Sequence, residues 1–148
     1  MTALLIDADG CPVVDLACRA AKSHGLPVVL ICDTAHEINR PDAETIIVSK
    51  GADAVDFVLV NRVQKGDIVI TQDYGLAAMV LARGAYAIDQ NGREYTNDNI
   101  DQLLLSRHTA KKIRKAGGRL KGPAKRQEKD NESFILQLNS LLGRAMKK

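Results

Sequence analysis

The sequence predicts an α/β fold in which a parallel sheet of about five strands is flanked by helices. Short aliphatic runs alternate with longer segments that have helical spacing, which is typical of a doubly wound sheet. Gly, Pro or polar residues separate most of these segments. With 148 residues, the chain is long enough for one domain with a buried core.

The strands are predicted from apolar or β-branched runs that end in polar residues. They cover 4–6, 26–32, 45–48, 67–71 and 85–88, and a short strand over 93–95 returns after the hairpin signal Asn91-Gly92. Helices are predicted over 12–24, 52–63, 74–82 and 99–116, the last of them capped by Asp98. A final helix carries an apolar stripe from Phe134 to Ala145, and we expect that stripe to pack on the sheet.

Acidic and basic residues are unevenly distributed along the single predicted domain. Residues 1–104, the predicted acidic body, hold 8 Lys and Arg against 15 Asp and Glu, a formal charge of −7. From residue 105 onward there are 13 Lys and Arg against 3 acids, a charge of +10. We expect a basic helix and loop over 105–131 and the docking helix over 132–148. This asymmetry indicates a body that binds cations and an arm that binds an anionic polymer.

Several classes of protein are disfavoured by composition. There is no long apolar run, so we expect no membrane span, and no signal peptide is visible. The three cysteines are an odd number without zinc spacing, which favours reduced thiols and a cytoplasmic protein. The sequence leaves the oligomeric state open.

Acidic residues follow strands that are expected to be neighbours. Asp7 and Asp9 follow the first strand, and Asp73 follows the fourth, two residues after Thr71. The carboxyl ends of parallel strands share one edge of the sheet, where open α/β sheets bind ligands. We therefore expect these side chains to converge there, with Thr71 orienting a water or a ligand.

A further pair of acids lies near the start of the helix between strands three and four. Asp53 and Asp56 are three residues apart and share one helix face. Carboxylate oxygens suit Mg²⁺ or Mn²⁺. The predicted metal ligands and catalytic acids are Asp7, Asp9, Asp53, Asp56 and Asp73. Whether Asp53 or Asp56 is the ligand, and whether one ion or two bind, stays open. The alternative for each acid is a helix cap or a partner of a helix dipole.

Five motifs span almost the whole chain. They are Asp7-x-Asp9-Gly10-Cys11-Pro12-Val13, Lys50-Gly51-Ala52-Asp53-x-x-Asp56, Asp67-x-Val69-x-Thr71-Gln72-Asp73-x-x-Leu76-Ala77, Asn97-x-Asn99-Ile100 and Gly122-Pro123. Together they resemble the bacterial YaiI/YqxD family, which is similar to the PIN and NYN nuclease-like domains. The resemblance implies a PIN-like fold and an acid cluster for Mg²⁺ or Mn²⁺. It matches Asp7, Asp73 and one of the two helix acids to that cluster, whereas Asp9 has no constant counterpart.

Two other functions compete with a nuclease. Asp7-x-Asp9-Gly10 also resembles the nucleophile loop of HAD-type phosphatases, and Ser49 resembles their second motif. However, Cys11 replaces the usual Thr or Val, and Asp67 precedes its strand instead of following it. A non-catalytic RNA-binding module with a structural ion is the third interpretation. The favoured prediction is a Mg²⁺- or Mn²⁺-dependent nuclease that acts on RNA.

The basic arm supplies the predicted RNA contacts. They are Arg107, Lys111, Lys112, Arg114, Lys115, Arg119, Lys121, Lys125 and Arg126. No aromatic residue lies within this run, so phosphate contacts are expected there instead of base stacking. The alternative is a solvated helix face followed by a loop.

Overall fold

Six strands and five helices are formed by the residues that the computed structural model describes, which are 2–34, 38–49, 54–118 and 125–147. In chain order they are β1 (Leu4–Asp7), α1 (Val14–Ser23), β2 (Val28–Asp33), β3 (Glu44–Val48), α2 (Ala54–Arg62), β4 (Ile68–Ile70), α3 (Tyr74–Ala82), β5 (Tyr86–Ile88), β6 (Glu94–Tyr95), α4 (Ile100–Lys115) and α5 (Glu128–Ala145).

The strands form one sheet in the order β3-β2-β1-β4-β5-β6. The first five strands are parallel, and β6 returns antiparallel to β5. In the strand register, Leu4 of β1 is paired with Val28 of β2 on one side and with Ile68 of β4 on the other. The predicted α/β class, the parallel sheet and the central position of the first strand are confirmed.

Apolar residues cover both faces of the sheet because side chains of a strand point alternately to opposite faces. Leu4 and Ile6 face α1 and α5, and Leu5 faces α2, α3 and the start of α4. Both neighbours of β1 are also apolar on each face, which is the pattern of a buried parallel strand. The sheet therefore carries two cores, and its carboxyl edge is left for polar side chains.

The C-terminal helix packs on the sheet as predicted. Phe134, Leu138, Leu141 and Leu142 are fully buried in the core that α5 shares with α1. However, α5 begins at Glu128, four residues before the predicted boundary. A capping box explains the earlier start, because the Gln127 N–H donates to the Asp130 carboxylate at 2.8 Å.

Two predicted helix starts are wrong. The first helix begins at Val14 instead of residue 12, because the chain is still turning at Pro12. Asp98 does not cap α4, whose N-cap position is Asn99. Asn99 instead fixes the preceding turn, since its Oδ1 accepts from the Thr96 N–H at 2.9 Å and its Nδ2 donates to the Glu94 carbonyl at 3.0 Å.

None of the helices within the four described ranges has the length and apolar character needed to cross a membrane.

The burial of α5 gives a matched test of its docking. Leu138→Ala removes a fully buried side chain, and we expect the free energy of unfolding to fall by about 2–5 kcal/mol. Leu136 lies on the same helix but is 67% exposed, so Leu136→Ala is expected to change that energy by less than about 0.5 kcal/mol. Urea unfolding measures both. Equal losses in the two variants would contradict the observed packing of α5.

Candidate functional site

A hydroxyl group joins the ends of the two central strands. Thr71, which is buried, donates from Oγ1 to Asp7 Oδ2 at 2.9 Å. The same Oγ1 accepts from the Asp73 N–H at 3.0 Å. Asp7 ends β1 and Thr71 directly follows β4, and these strands are paired in the sheet. The predicted convergence of Asp7, Thr71 and Asp73 is thus seen in the structure.

Asp73 also has a structural role. Its Oδ1 accepts from the backbone N–H groups of Gly75 at 2.9 Å and Leu76 at 3.2 Å, which caps α3. Arg107 of α4 approaches the same oxygen at 3.4 Å, a long contact between partly exposed groups. In the described part of the chain, the hydrogen bonds to the Asp73 side chain all involve Oδ1, so the cap of α3 uses only one of the two carboxylate oxygens.

The surroundings of the Asp7 side chain disfavour its negatively charged form. Burial raises its pKa, and the nearby carboxylates of Asp9 and Asp73 raise it further, although the hydrogen bond from Thr71 acts in the opposite direction. Among the described residues, Thr71 is the sole hydrogen-bond partner of the Asp7 side chain, and it binds Oδ2. A cation near Oδ1 would relieve this repulsion.

The remaining predicted acids are placed differently. Asp9 Oδ1 accepts from the Asp33 N–H at 3.0 Å, which ties the loop after β1 to the end of β2. Asp56, on α2, lies across a groove from Asp73, and Asp53 lies outside the described residues. Across the described ranges, no three Asp, Glu, His or Cys side chains are grouped closely enough to hold a metal ion.

The acids border two adjoining depressions. The acid cleft, of about 400 Å³, is lined by Asp7, Gln72, Asp73, Tyr74 and Arg107. The α2–α3 groove, of about 540 Å³, is lined by Asp56, Phe57, Val60, Asn61, Asp73, Gly75, Leu76, Met79, Arg83 and Arg107. Asp73 and Arg107 line both depressions, so they form the ridge between the cleft and the groove.

A buried tyrosine that was not predicted from the sequence contacts the backbone of Thr71 at the cleft. Tyr95 of β6 is buried, and its hydroxyl donates to the Thr71 carbonyl at 3.1 Å. Its ring meets Tyr74 edge to face, with the centroids 5.9 Å apart. Burial raises the pKa of Tyr95 well above its usual range, so the phenol stays protonated as a donor. The hairpin signal predicts the strand that carries Tyr95, but not this contact.

The predicted basic contacts fall into three groups. Lys111, Lys112, Arg114 and Lys115 are exposed on α4, as is Arg107 beside the cleft. The guanidinium of Arg126 is already bound, because it donates to Asn131 Oδ1, Asn91 Oδ1 and the Gln90 carbonyl at 2.7–2.8 Å. Lys125 is exposed, and Arg119 and Lys121 lie outside the described residues.

Three residues bear on the phosphatase alternative. Asp67 lies at the opposite edge of the sheet, where its carboxylate accepts from the N–H groups of Ala3 and Gln64. Ser49 follows the edge strand β3, two strands and so about 10 Å from β1. Burial raises the pKa of the Cys11 thiol, which opposes a role as a nucleophile. Neither Asp67 nor Ser49 is placed to act with Asp7.

The fold and the site define an α/β protein whose parallel sheet presents paired carboxylates at its carboxyl edge. The chain belongs to the YaiI/YqxD family, because the family model described as "Uncharacterized BCR, YaiI/YqxD family" matches residues 5–144. The family predicted from the five motifs is therefore confirmed.

Curated relatives support the same assignment. A UPF0178 protein of Exiguobacterium sibiricum is 59% identical over 137 residues, covering 93% of this chain and 94% of the relative. A UPF0178 protein of Clostridium acetobutylicum is 49% identical over 143 residues, covering 95% and 97%. Among solved structures, Rae1 (YacP) from Bacillus subtilis, a W164L mutant, matches with a TM-score of 0.43 and 14% identity, covering 98% of this chain and 99% of that chain.

The Thr71 bridge can be tested by removing one hydroxyl. Thr71→Val keeps the shape of the side chain but leaves the Asp73 N–H and Asp7 Oδ2 without this partner. We expect a loss of about 1–3 kcal/mol in unfolding free energy and a rise in the pKa of Asp7. Urea unfolding and an NMR titration of the Asp7 carboxyl carbon measure the two effects. Thr71→Ser, which retains the hydroxyl, should keep the pKa; a pKa unchanged in Thr71→Val would refute the bridge.

Proposed function

We propose that this protein is a Mg²⁺- or Mn²⁺-dependent phosphodiesterase that acts on RNA. The observation that carries the proposal is the convergence of Asp7 and Asp73 on the acid cleft through Thr71. The family resemblance to PIN-like nucleases points in the same direction, and the exposed basic residues of α4 supply attraction for a polyanion.

The described residues offer the number of carboxylates that a magnesium-type ion commonly takes from a protein. Mg²⁺ is commonly held by one or two carboxylates while water and substrate phosphates complete its shell. Asp7 Oδ1 and Asp73 Oδ2 are the two oxygens left for this purpose. A bound divalent ion lowers the pKa of a coordinated water and stabilises negative charge on a phosphate.

The chain's own groups then hold and orient the substrate. Thr71 fixes the positions of the two acids by its paired hydrogen bonds. Arg107 is 60% exposed and only loosely paired with Asp73, so its guanidinium is available for a phosphate oxygen. Asp56 borders the groove beside the cleft and is the described candidate for the helix acid.

The basic residues of α4 extend this surface. Arg107, Lys111 and Arg114 are spaced by four and three residues, so they share one helix face that starts beside the cleft. An RNA strand that follows this face makes phosphate contacts, which are independent of base identity. Arg126 has no part in the proposal because three acceptors already hold it.

A non-catalytic RNA-binding module is the second candidate, and two observations favour it. Asp73 already caps α3, and the described part of the chain brings no third acid or His into a group with Asp7 and Asp73. A metal ion held this way serves the structure of the cleft without performing hydrolysis. The two candidates differ in turnover and agree on RNA binding.

Metal binding is the first test. At pH 7.5, Mn²⁺ at a hundred times its dissociation constant should add about 2.7 kcal/mol of stability and raise the Tm, because it binds the native state alone. We expect Asp7→Asn and Asp73→Asn to abolish this rise. Differential scanning calorimetry with and without Mn²⁺ measures it.

The variants are chosen to preserve the fold. Asn is as good a helix cap as Asp, so Asp73→Asn should keep α3. In metal-free buffer, Asp7→Asn should be neutral or stabilising, since it removes a carboxylate whose pKa is raised by burial. Asp98, exposed in the turn before α4, gives the matched control Asp98→Asn, which should respond to Mn²⁺ like the wild type. A full response in the Asp7 and Asp73 variants would place the ion elsewhere.

Turnover is the second test. The purified protein is incubated with a labelled single-stranded RNA and Mn²⁺, and with p-nitrophenyl phosphate in parallel. We expect cleavage of the RNA that is lost in Asp7→Asn and on addition of EDTA, and no release of nitrophenol. RNA left intact by a protein that still binds it would favour the binding module. Phosphate release from the small ester, lost in Asp7→Asn, would favour the phosphatase.

A further inference from the structure

The α2–α3 groove contains an exposed aromatic ring beside the acid cleft. Phe57 is 72% exposed, the highest fraction among the large apolar side chains of the described residues. Its helix already buries Val55 and Leu59 toward the sheet, and Phe57 lies on the other side. The ring therefore adds little to the core and stays open to solvent in the groove.

The surroundings of Phe57 suit a flat aromatic ligand joined to a phosphate. Val60 and Met79 provide apolar walls, and Met79 is itself 44% exposed. Arg83 and Arg107 place guanidinium groups along the same groove. Aromatic side chains stack on nucleobases with little preference for sequence, and Arg adds cation–π and phosphate contacts.

The position of the groove favours a nucleotide of a single strand as its ligand. Asp73 and Arg107 border both the groove and the acid cleft, so a strand that crosses this ridge passes from the cleft into the groove. The volume of about 540 Å³ is within the range of small-ligand sites. A base that is paired in a duplex cannot reach the ring, which restricts the ligand to single strands.

We propose that the α2–α3 groove binds one base of a single-stranded RNA by stacking on Phe57, next to the phosphate held at the acid cleft. This deepens the function proposed above, on which it rests. No aromatic residue lies within the basic run of the sequence, which by itself predicts phosphate contacts alone. The fold supplies the missing ring from α2, fifty residues before Arg107.

The test varies the protein and the ligand together. Fluorescence anisotropy, with Mn²⁺ present and phosphorothioate linkages that resist cleavage, compares a labelled oligouridylate with the same strand carrying abasic sites. Wild-type protein should bind the oligouridylate about 5- to 150-fold more tightly than the abasic strand. In Phe57→Ala this ratio should fall close to one, and in Phe57→Trp it should be kept or increased.

Control variants separate stacking from charge and from loss of fold. Leu136→Ala removes another exposed apolar side chain, remote from the groove on α5, and should keep the ratio. Lys111→Gln should weaken both strands alike and reduce the slope of log affinity against log salt by about 0.7, whereas Phe57→Ala should leave that slope unchanged. Phe57→Ala should also keep the wild-type Tm, because the ring is exposed.

The outcomes distinguish this proposal from the catalytic one. A ratio near one in the wild type, or an unchanged ratio in Phe57→Ala, overturns the stacking site even if RNA is cleaved. A ratio that depends on Phe57 supports the site even if the Mn²⁺ and cleavage tests fail, in which case the protein is a binding module.

Discussion

The site depends on a single hydroxyl group between the two central strands. Thr71, which is buried, joins Asp7 at the end of β1 to the backbone of Asp73 after β4 through two partly buried hydrogen bonds. Pairing of β1 with β4 sets the distance that the hydroxyl spans. The antiparallel strand β6 also contacts Thr71, because the Tyr95 hydroxyl donates a hydrogen bond to the Thr71 carbonyl. Sheet, cleft and acids are thus one connected unit.

Most of the fold could be predicted from the sequence, because the patterns that indicate strands and helices are local. Aliphatic runs bounded by polar residues mark the five parallel strands, and Asn91-Gly92 marks the return into β6. The apolar stripe of α5 predicted its docking because such a stripe must be buried somewhere. Helix starts were less accurate, since a cap depends on which polar side chain the turn selects: Asn99 fixes the turn before α4, and Asp98 stays exposed.

The site was predictable only in part, because residue type shows which atoms are present but not what they contact. Asp7 and Asp73 converge as neighbouring strand ends should, yet Asp73 is also a helix cap. Asp9 accepts from the Asp33 N–H and so ties the end of β2 to the loop after β1. Arg126 carries the charge expected of an RNA contact, but three acceptors close by hold it. These outcomes depend on tertiary geometry that no spacing encodes.

The long separation between the two halves of the Thr71 bridge has a kinetic consequence. Asp7 and Thr71 are 64 residues apart, and Arg107 lies a further 34 residues beyond Asp73. Contacts this distant in the chain slow folding, because the entropy of closing the intervening segments is lost before the contacts can form. During synthesis, the N-terminal segment leaves the ribosome long before its partners. The cleft is therefore assembled only once the chain through Arg107 is present, and a nascent chain that ends before Thr71 presents Asp7 without the cleft around it.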